Sequence, residues 1–405
     1  MQSALKFFFF LMLSFNAEAF MSSVDEESYY NQLREKILSG SPVQMLINSS
    51  TDQKVLVDVL WDLKNVEGVN VESYIQEALT TSYELSTTLR LIVLSDSRPS
   101  SAKFKFMSFA LSTRLTQDRE LATLVLAHQD KLAQFGFLPE VEQAREHYLD
   151  LQEYFKRAER GVGDQSAAAL ELWVHRPDLE NYLNAKYAGG IKLYMFCRTQ
   201  RQFPCIMLAK DSEDRVVLDK NGDIWHQPAL ASSASNIPSH TRNGNTPAGV
   251  HHIDGVMPAA DQQISFGKFR RLILNFTPKS ANENVTRTIL PANTQDQWWM
   301  PAVVARDVGR SLLRIHGTGK INQDPTSSWF PFMRTSGCVA QRENTYDGIE
   351  YRDQENLLEI LMSAQGLEPE FSNHPMIKGL FYIIDINDRP APVTLSELTD
   401  IGIGL

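Results

Sequence analysis

Two short segments in the second half of the chain hold residue types that together perform nucleophilic catalysis. Residues 314–319 (RIHGTG) contain His316, and residues 335–339 (TSGCV) contain Cys338. A thiol attacks as the thiolate, so it needs a base or a cation that lowers its pKa. Histidine is the usual partner because its pKa lies near neutrality. Taken alone the pair is not specific, and a buried structural thiol is the alternative.

A third segment makes the pattern more specific. Residues 245–253 (NTPAGVHHI) lie upstream of both others. Together the segments resemble the catalytic domain of L,D-transpeptidases (YkuD-type), in which a T-P-x-G segment precedes a histidine and then Ser/Thr-x-Gly-Cys. Thr335, Gly337 and Cys338 fill the last motif. The resemblance covers about residues 190–390, and we recognise no family in the helical half.

The resemblance implies a mixed β-sandwich and an acyl-transfer reaction. Cys338 would be the acylated nucleophile and His316 its base, with the carbonyl of Gly317 orienting the imidazole. Backbone N–H groups around Gly337 and Cys338 would form an oxyanion hole. The substrate would be the tetrapeptide stem of peptidoglycan, with D-alanine as the leaving group, and no metal or organic cofactor is implied. Water as the acceptor would give an L,D-carboxypeptidase instead, and a decayed cleft would leave a non-catalytic scaffold that binds the cell wall.

The motif departs from the family at two positions. Ser336 stands where many members carry His or Lys, and Ala340 where many carry Arg or Asn. We expect Ser336 and Thr335 to line the substrate site, and Arg342 or Arg334 to supply the missing cation.

The histidine pair in the upstream segment, His251 and His252, invites a metal-site interpretation. Adjacent strand residues point to opposite faces, so the two cannot easily bind one metal ion. We therefore expect one to face the cleft and the other solvent, and we include His252 among the substrate-binding residues.

The elements that must position these residues fall into two parts. Apolar residues recur at helical spacing from about 26 to 160, which predicts five to seven helices. A further helical stretch at 165–189 links to short strand-like runs at 192–196, 205–209, 215–218, 270–276 and 381–386, with one helix at 355–364. The predicted fold is α+β: a helical domain at 20–164, a mainly β sandwich domain at 190–390 and a tail at 391–405. The polar loop 231–245 is expected to be mobile or shaped by a partner.

Composition limits the setting in which this chemistry would occur. The 405 residues include 39 Lys+Arg and 49 Asp+Glu, a net charge of −10 without a basic block, which argues against nucleic-acid binding. Lys6, an apolar run and Ala17-Glu18-Ala19 predict a signal peptide at 1–19 and a periplasmic protein. The apolar run is too short to span a membrane. The expected partners are peptidoglycan stems and, through the helical domain, a protein of the cell envelope.

Only three cysteines are present. In an oxidising compartment Cys197 and Cys205 form a disulfide or remain two unpaired core thiols, and the sequence leaves both possibilities open.

Overall fold

The computed structural model describes residues 23–42, 50–64, 68–81, 84–160, 164–277, 287–292 and 297–404. The predicted signal peptide at 1–19 lies outside these ranges. The fold is α+β, as predicted, with helices in the first part of the chain and a mixed sheet in the second. In the described part of the chain, no helix is both long enough and apolar enough to cross a membrane.

The first part of the chain is more finely divided than its periodicity predicted. Nine helices are described up to residue 160, because turns break the longer amphipathic runs: the run at 120–135 divides at His128. Side-chain caps fix several helix starts, as where Asp118 accepts the Leu121 N–H at 3.0 Å. The helices are α1 Ser23–Leu38, α2 Ser50–Leu63, α3 Val71–Thr80, α4 Leu85–Leu94, α5 Ser101–Arg114, α6 Arg119–Ala127, α7 Gln129–Phe135, α8 Leu138–His147 and α9 Leu149–Arg160.

The predicted linking helix is shorter than expected. Helix α10, Ser166–Val174, ends before Pro177, because the residue preceding a proline is disfavoured in the helical conformation. A single 3₁₀ turn, Tyr182–Ala185, then leads into the sheet.

Eight strands form one mixed sheet in the order β3-β2-β1-β10-β4-β5-β6-β7. The pairs β1·β10 and β6·β7 are parallel and the others antiparallel. The predicted runs at 192–196, 205–209 and 381–386 lie within strands, whereas 215–218 makes only isolated bridges. The strands are β1 Ile191–Arg198, β2 Cys205–Lys210, β3 His226–Ala229, β4 Gly249–Val256, β5 Leu272–Phe276, β6 Leu313–His316, β7 Val339–Ala340, β8 Glu343–Tyr346, β9 Ile349–Arg352 and β10 Gly379–Asn387, with β8 and β9 forming a separate hairpin.

The sheet is nearly closed on itself. Leu230, just after β3, and Ala340 of β7 exchange backbone hydrogen bonds at 3.0 and 2.8 Å. The strands therefore curl into one barrel-like sheet instead of two facing layers. The helices within this part are α11 Gln263–Phe266, α12 Met300–Asp307, α13 Asp353–Ala364 and α14 Leu395–Asp400.

Both faces of the sheet are buried. On β1, Leu193 and Met195 pack inside with Leu357 of α13. Tyr194 points to the other face, where its ring centroid lies 5.0 Å from that of Trp173 in α10. The side chains on this outer face and those of the helices, from Leu33 of α1 onward, form one apolar cluster. The helices and the sheet therefore share a hydrophobic core.

Cys197 and Cys205 form a disulfide that joins the end of β1 to the start of β2. This answers the question that the sequence left open. Cys338 is the remaining thiol.

Candidate active site

His316 and Cys338 line the same cavity, which has a volume of about 630 Å³. Strands β6 and β7 position them, because His316 is the register partner of Ala340 in a parallel ladder. Residues opposite each other share a face, and Cys338, two positions before Ala340, lies diagonally across from His316. Ile315 and Val339, on the opposite face, pack into the interior core.

The His316 imidazole is held in one tautomer. Its Nδ1 lies 2.5 Å from the carbonyl oxygen of Gly317, and since a carbonyl only accepts, Nδ1 carries the proton. This is the contact that the resemblance implies. Nε2 has no hydrogen-bond partner among the described residues, so its lone pair is available. Burial lowers the pKa of His316 to about 4, and the charges of Arg271 and Arg314 act in the same direction, so the ring is neutral near pH 7.

Cys338 is a partly exposed thiol at the wall of this cavity. Its Sγ lies 3.8 Å from the Leu312 carbonyl oxygen. Burial raises the pKa of the thiol, the charges of Arg314 and Arg310 oppose that rise, and Glu27 adds to it. At rest the thiol is protonated and the imidazole is neutral, and the thiol faces the Leu312 carbonyl and is not hydrogen-bonded to Nε2.

The turn that presents Cys338 requires glycine at 337. Gly337 has φ +103°, and a Cβ there would lie 2.5 Å from the Gly244 carbonyl oxygen. The Gly337 N–H donates to Thr335 Oγ1 at 3.2 Å, and that hydroxyl donates to the Cys338 carbonyl at 2.6 Å. We expected the Gly337 N–H to contribute to an oxyanion hole. In this geometry it does not, because it is already hydrogen-bonded to Thr335 within the turn. Thr335 and the exposed Ser336 both line the cavity, as expected.

The Arg310 side chain packs against the same turn. Its guanidinium donates to the carbonyl oxygens of Gly244 (3.1 Å), Asn245 (2.9 Å) and Ser239. A Cβ on Gly337 would lie 2.5 Å from Arg310 Nη2, so guanidinium and turn are in close contact. Burial lowers the pKa of Arg310 to about 10, which leaves the side chain charged at neutral pH. Sequence reasoning did not single out this residue.

Of the two predicted cations, Arg334 lines the cavity and Arg342 does not. Arg342 Nε binds Asp353 Oδ2 at 2.6 Å, which engages it in an ion pair at the start of α13. Arg334 stacks over the Trp329 ring, 3.6 Å from its centroid. The prediction of a substrate-binding role for Arg342 therefore lacks structural support.

The predictions for the histidine pair are also corrected. His251 and His252 are both buried, and neither lines the cavity. His252 contacts the hydroxyls of Tyr187 (2.7 Å) and Tyr182 (3.1 Å), and His251 contacts the Pro247 carbonyl at 3.2 Å. Strand β4 lies inside a sheet that is covered on both faces. Side chains on either face of the strand are therefore shielded from solvent.

The helical half supplies part of the cavity wall, which the sequence did not predict. Glu27, Tyr30, Asn31 and Arg34 of α1 and Asp62 of α2 all line it. The helices thus belong to the site itself.

The helices also hold the polar loop 231–245. Arg242 in that loop lies 3.2 Å from Asp58 and 2.8 Å from Asp62, both on α2, and Asn243 donates to Asp62 at 2.9 Å. The His240 ring packs edge-on against Phe155 of α9 at 5.2 Å. The sequence predicted a loop that is mobile or shaped by a partner; the contacts that hold it in the structure come from the helical half of the same chain.

A second group missed by the sequence analysis is Glu343 of β8. A Cβ on Gly317 would overlap Glu343 Oε1, so the carboxyl group packs against the Cα of Gly317, the residue whose carbonyl orients His316. The Lys268 N–H donates to Oε2 at 2.7 Å, while Oε1 has no partner among the described residues. Burial raises the pKa of Glu343 to about 7.

In the described residues, no three His, Cys, Asp or Glu side chains lie together as metal ligands would. Comparisons of the chain with protein-family models, with curated proteins and with solved structures find no match. The likeness to L,D-transpeptidases therefore rests on the motifs of this sequence.

Proposed function

We propose that the protein is a periplasmic cysteine acyltransferase of the L,D-transpeptidase type that modifies peptidoglycan through a thioester on Cys338. The observation that supports it is that Cys338 and a neutral His316, which carries its proton on Nδ1, line the same cavity. The predicted signal peptide supports the compartment.

The reaction follows from the protonation states of the two residues. His316 Nε2 takes the thiol proton as Cys338 Sγ attacks the carbonyl carbon of the third stem residue. The oxyanion forms near the Cys338 N–H, because the Gly337 N–H is already bound within its turn. The C–N bond then breaks, the proton on His316 passes to the D-alanine amine, and a thioester remains. An acceptor amine, deprotonated by His316, attacks the thioester and releases the thiol.

The charges of the cavity favour an anionic substrate. Six lining side chains are cationic and two are carboxylates: Arg34, Arg242, Arg310, Arg314, Lys320 and Arg334 against Glu27 and Asp62. A tetrapeptide stem carries free carboxylates, which such a wall would attract.

Intact-mass spectrometry tests the proposal directly. Incubation of the protein, without residues 1–19, with disaccharide tetrapeptide should add to Cys338 the mass of the disaccharide-tripeptide acyl group, which is the substrate without its terminal D-alanine. Cys338→Ser, which keeps the shape of the side chain, is the matched control and should show no thioester. An unchanged mass of the wild-type protein, under conditions that acylate a known L,D-transpeptidase, would refute the enzyme and favour a cell-wall-binding scaffold.

Product analysis in the same incubation identifies the acceptor. Crosslinked dimers would assign transpeptidation, and accumulation of tripeptide would assign L,D-carboxypeptidase activity. A role of the helical half in binding an envelope protein stays a prediction, since the contacts described here are made within the chain.

A further inference from the structure

Helix α1 carries a carboxylate that is bound by two arginines of the catalytic sheet. Glu27 Oε1 lies 2.8 Å from Arg271 Nη2, and Glu27 Oε2 lies 3.2 Å from Arg314 Nη2. Arg271 is 1% exposed and Arg314 is 2% exposed. Two buried guanidinium groups converging on one carboxylate make a recognition site for that group.

This recognition site adjoins the nucleophile. Arg314 precedes His316 by two positions on β6 and therefore shares its face of the sheet. Glu27, Arg314, His316 and Cys338 all line the one cavity. A carboxylate bound to Arg314 thus lies beside the position where an acyl group would form on the thiol.

The two sides of this contact differ in rigidity. Arg314 lies on β6 and Arg271 directly precedes β5, two paired strands of the closed sheet. Helix α1 is anchored in the core by Leu33 and Ile37 in its second half, which are 0% and 2% exposed. Its first turns hold no fully buried apolar side chain among the described residues, and Tyr29 and Tyr30 pack against the core only in part, so the segment with Glu27 is held less firmly than the second half of the helix.

We propose that the Arg271–Arg314 pair is the binding site for a substrate carboxylate and that Glu27 occupies it until substrate binds. The identity of the substrate as a stem peptide rests on the proposed function, while the site itself does not. Arg271 is also paired with Asp261 at 2.7 Å, so part of its charge is balanced by a second carboxylate. The helical half thereby acts as an internal competitor that selects for ligands bearing a carboxylate.

Alkylation of Cys338 measures this competition without any assumption about the reaction. Cys338 is the free thiol once Cys197 and Cys205 are joined, so its modification can be followed by mass. Iodoacetate carries a carboxylate and iodoacetamide a neutral amide in its place. The ratio of their rate constants cancels changes in the thiolate fraction and reports whether an anion is attracted to the cavity.

Glu27→Gln should raise the iodoacetate-to-iodoacetamide ratio by roughly fivefold over the wild type, because Arg314 loses its carboxylate. Glu146→Gln makes the same change at an exposed position of α8 and should leave the ratio unchanged. In the double variant Glu27→Gln with Arg314→Met the gain should disappear. A ratio for Glu27→Gln within about 1.5-fold of the wild type would overturn the inference, as would a gain that persists without Arg314.

Circular dichroism checks that each variant is folded. If Glu27→Gln does not fold, Glu27→Asp replaces it: the shorter side chain keeps the charge but cannot reach both arginines, and the ratio should rise about twofold. No rise in Glu27→Asp would then refute the inference. A raised ratio in a protein that fails to form the stem thioester would leave this carboxylate site standing and refute only the proposed reaction.

Discussion

Replacement of Glu343 by glutamine should remove a pH-dependent loss of stability. Glu343 is 2% exposed, and burial raises its pKa to about 7 from an ordinary value of 4.5. The unfolded chain therefore releases this proton at a lower pH than the folded protein does. The stabilising contribution of the protonated carboxyl group is fully present below about pH 4.5 and is lost as the pH rises through about 7.

The difference between the two pKa values corresponds to about 3 kcal/mol, most of which is lost between pH 5 and pH 8. Glutamine does not ionise and keeps an oxygen for the Lys268 N–H. The free energy of unfolding of Glu343→Gln, measured against that of the wild type, should thus increase by about 2–3 kcal/mol between these two pH values.

Guanidinium denaturation at pH 5 and pH 8, followed by tryptophan fluorescence with the disulfide intact, measures this difference. The helices and the sheet share a core, so we expect a single transition. The exposed Glu146→Gln should track the wild type at both pH values. A Glu343→Gln difference that changes by less than about 0.5 kcal/mol would show that Glu343 is ionised in the folded protein and would refute the reasoning.

Three further outcomes are expected. Gly337→Ala should lower the free energy of unfolding by about 2 kcal/mol and slow alkylation of the Cys338 thiol. The φ of +103° at Gly337 and the nearby Gly244 carbonyl leave no room for a Cβ. Unchanged stability would contradict this. Asp62→Asn should cost about 1–2 kcal/mol and expose loop 231–245 to limited proteolysis, since it weakens the partly buried ion pair with Arg242, which keeps Asp58 as a partner. Cleavage at the wild-type rate would argue against that role. His316→Asn should lower kcat/KM at least about 100-fold. The rate of the Glu343→Gln variant, which lacks the carboxyl group of pKa about 7, should show no inflection near pH 6.5, because the pKa of His316 is about 4; an inflection there would indicate a solvated imidazole.

Local patterns in the sequence were sufficient to predict several strands of the sheet. Runs such as 192–196 and 381–386 are strands because β-branched and aromatic residues suit a sheet buried on both faces. The motifs likewise identified the two segments that contain His316 and Cys338. In the structure these segments include residues of the neighbouring strands β6 and β7. The same reasoning failed for His251 and His252, because alternation along a strand predicts a solvent face only where one side of the sheet is uncovered.

The missing parts of the site come from contacts between residues distant in the chain. Glu27 and Arg314 are bonded across most of the sequence, and no local period or motif encodes such a pairing. Glu343 is close to Gly317 only because the β8–β9 hairpin packs behind the loop after β6. These contacts depend on how α1, the closed sheet and the hairpin pack together, which single-sequence patterns do not specify.

The backbone bridge between Leu230 and Ala340, which closes the sheet, also limits how a peptide could bind beside Cys338. Both the N–H and the carbonyl of Ala340 are already bonded to Leu230, and the Thr335 carbonyl accepts the Ala234 N–H at 2.8 Å. The outer rim beside the nucleophile is thus occupied by the chain's own backbone, so an incoming peptide cannot add to it as an extra strand. If the proposed reaction is correct, selectivity then depends on the terminus and the side-chain charges of the peptide more than on its main chain.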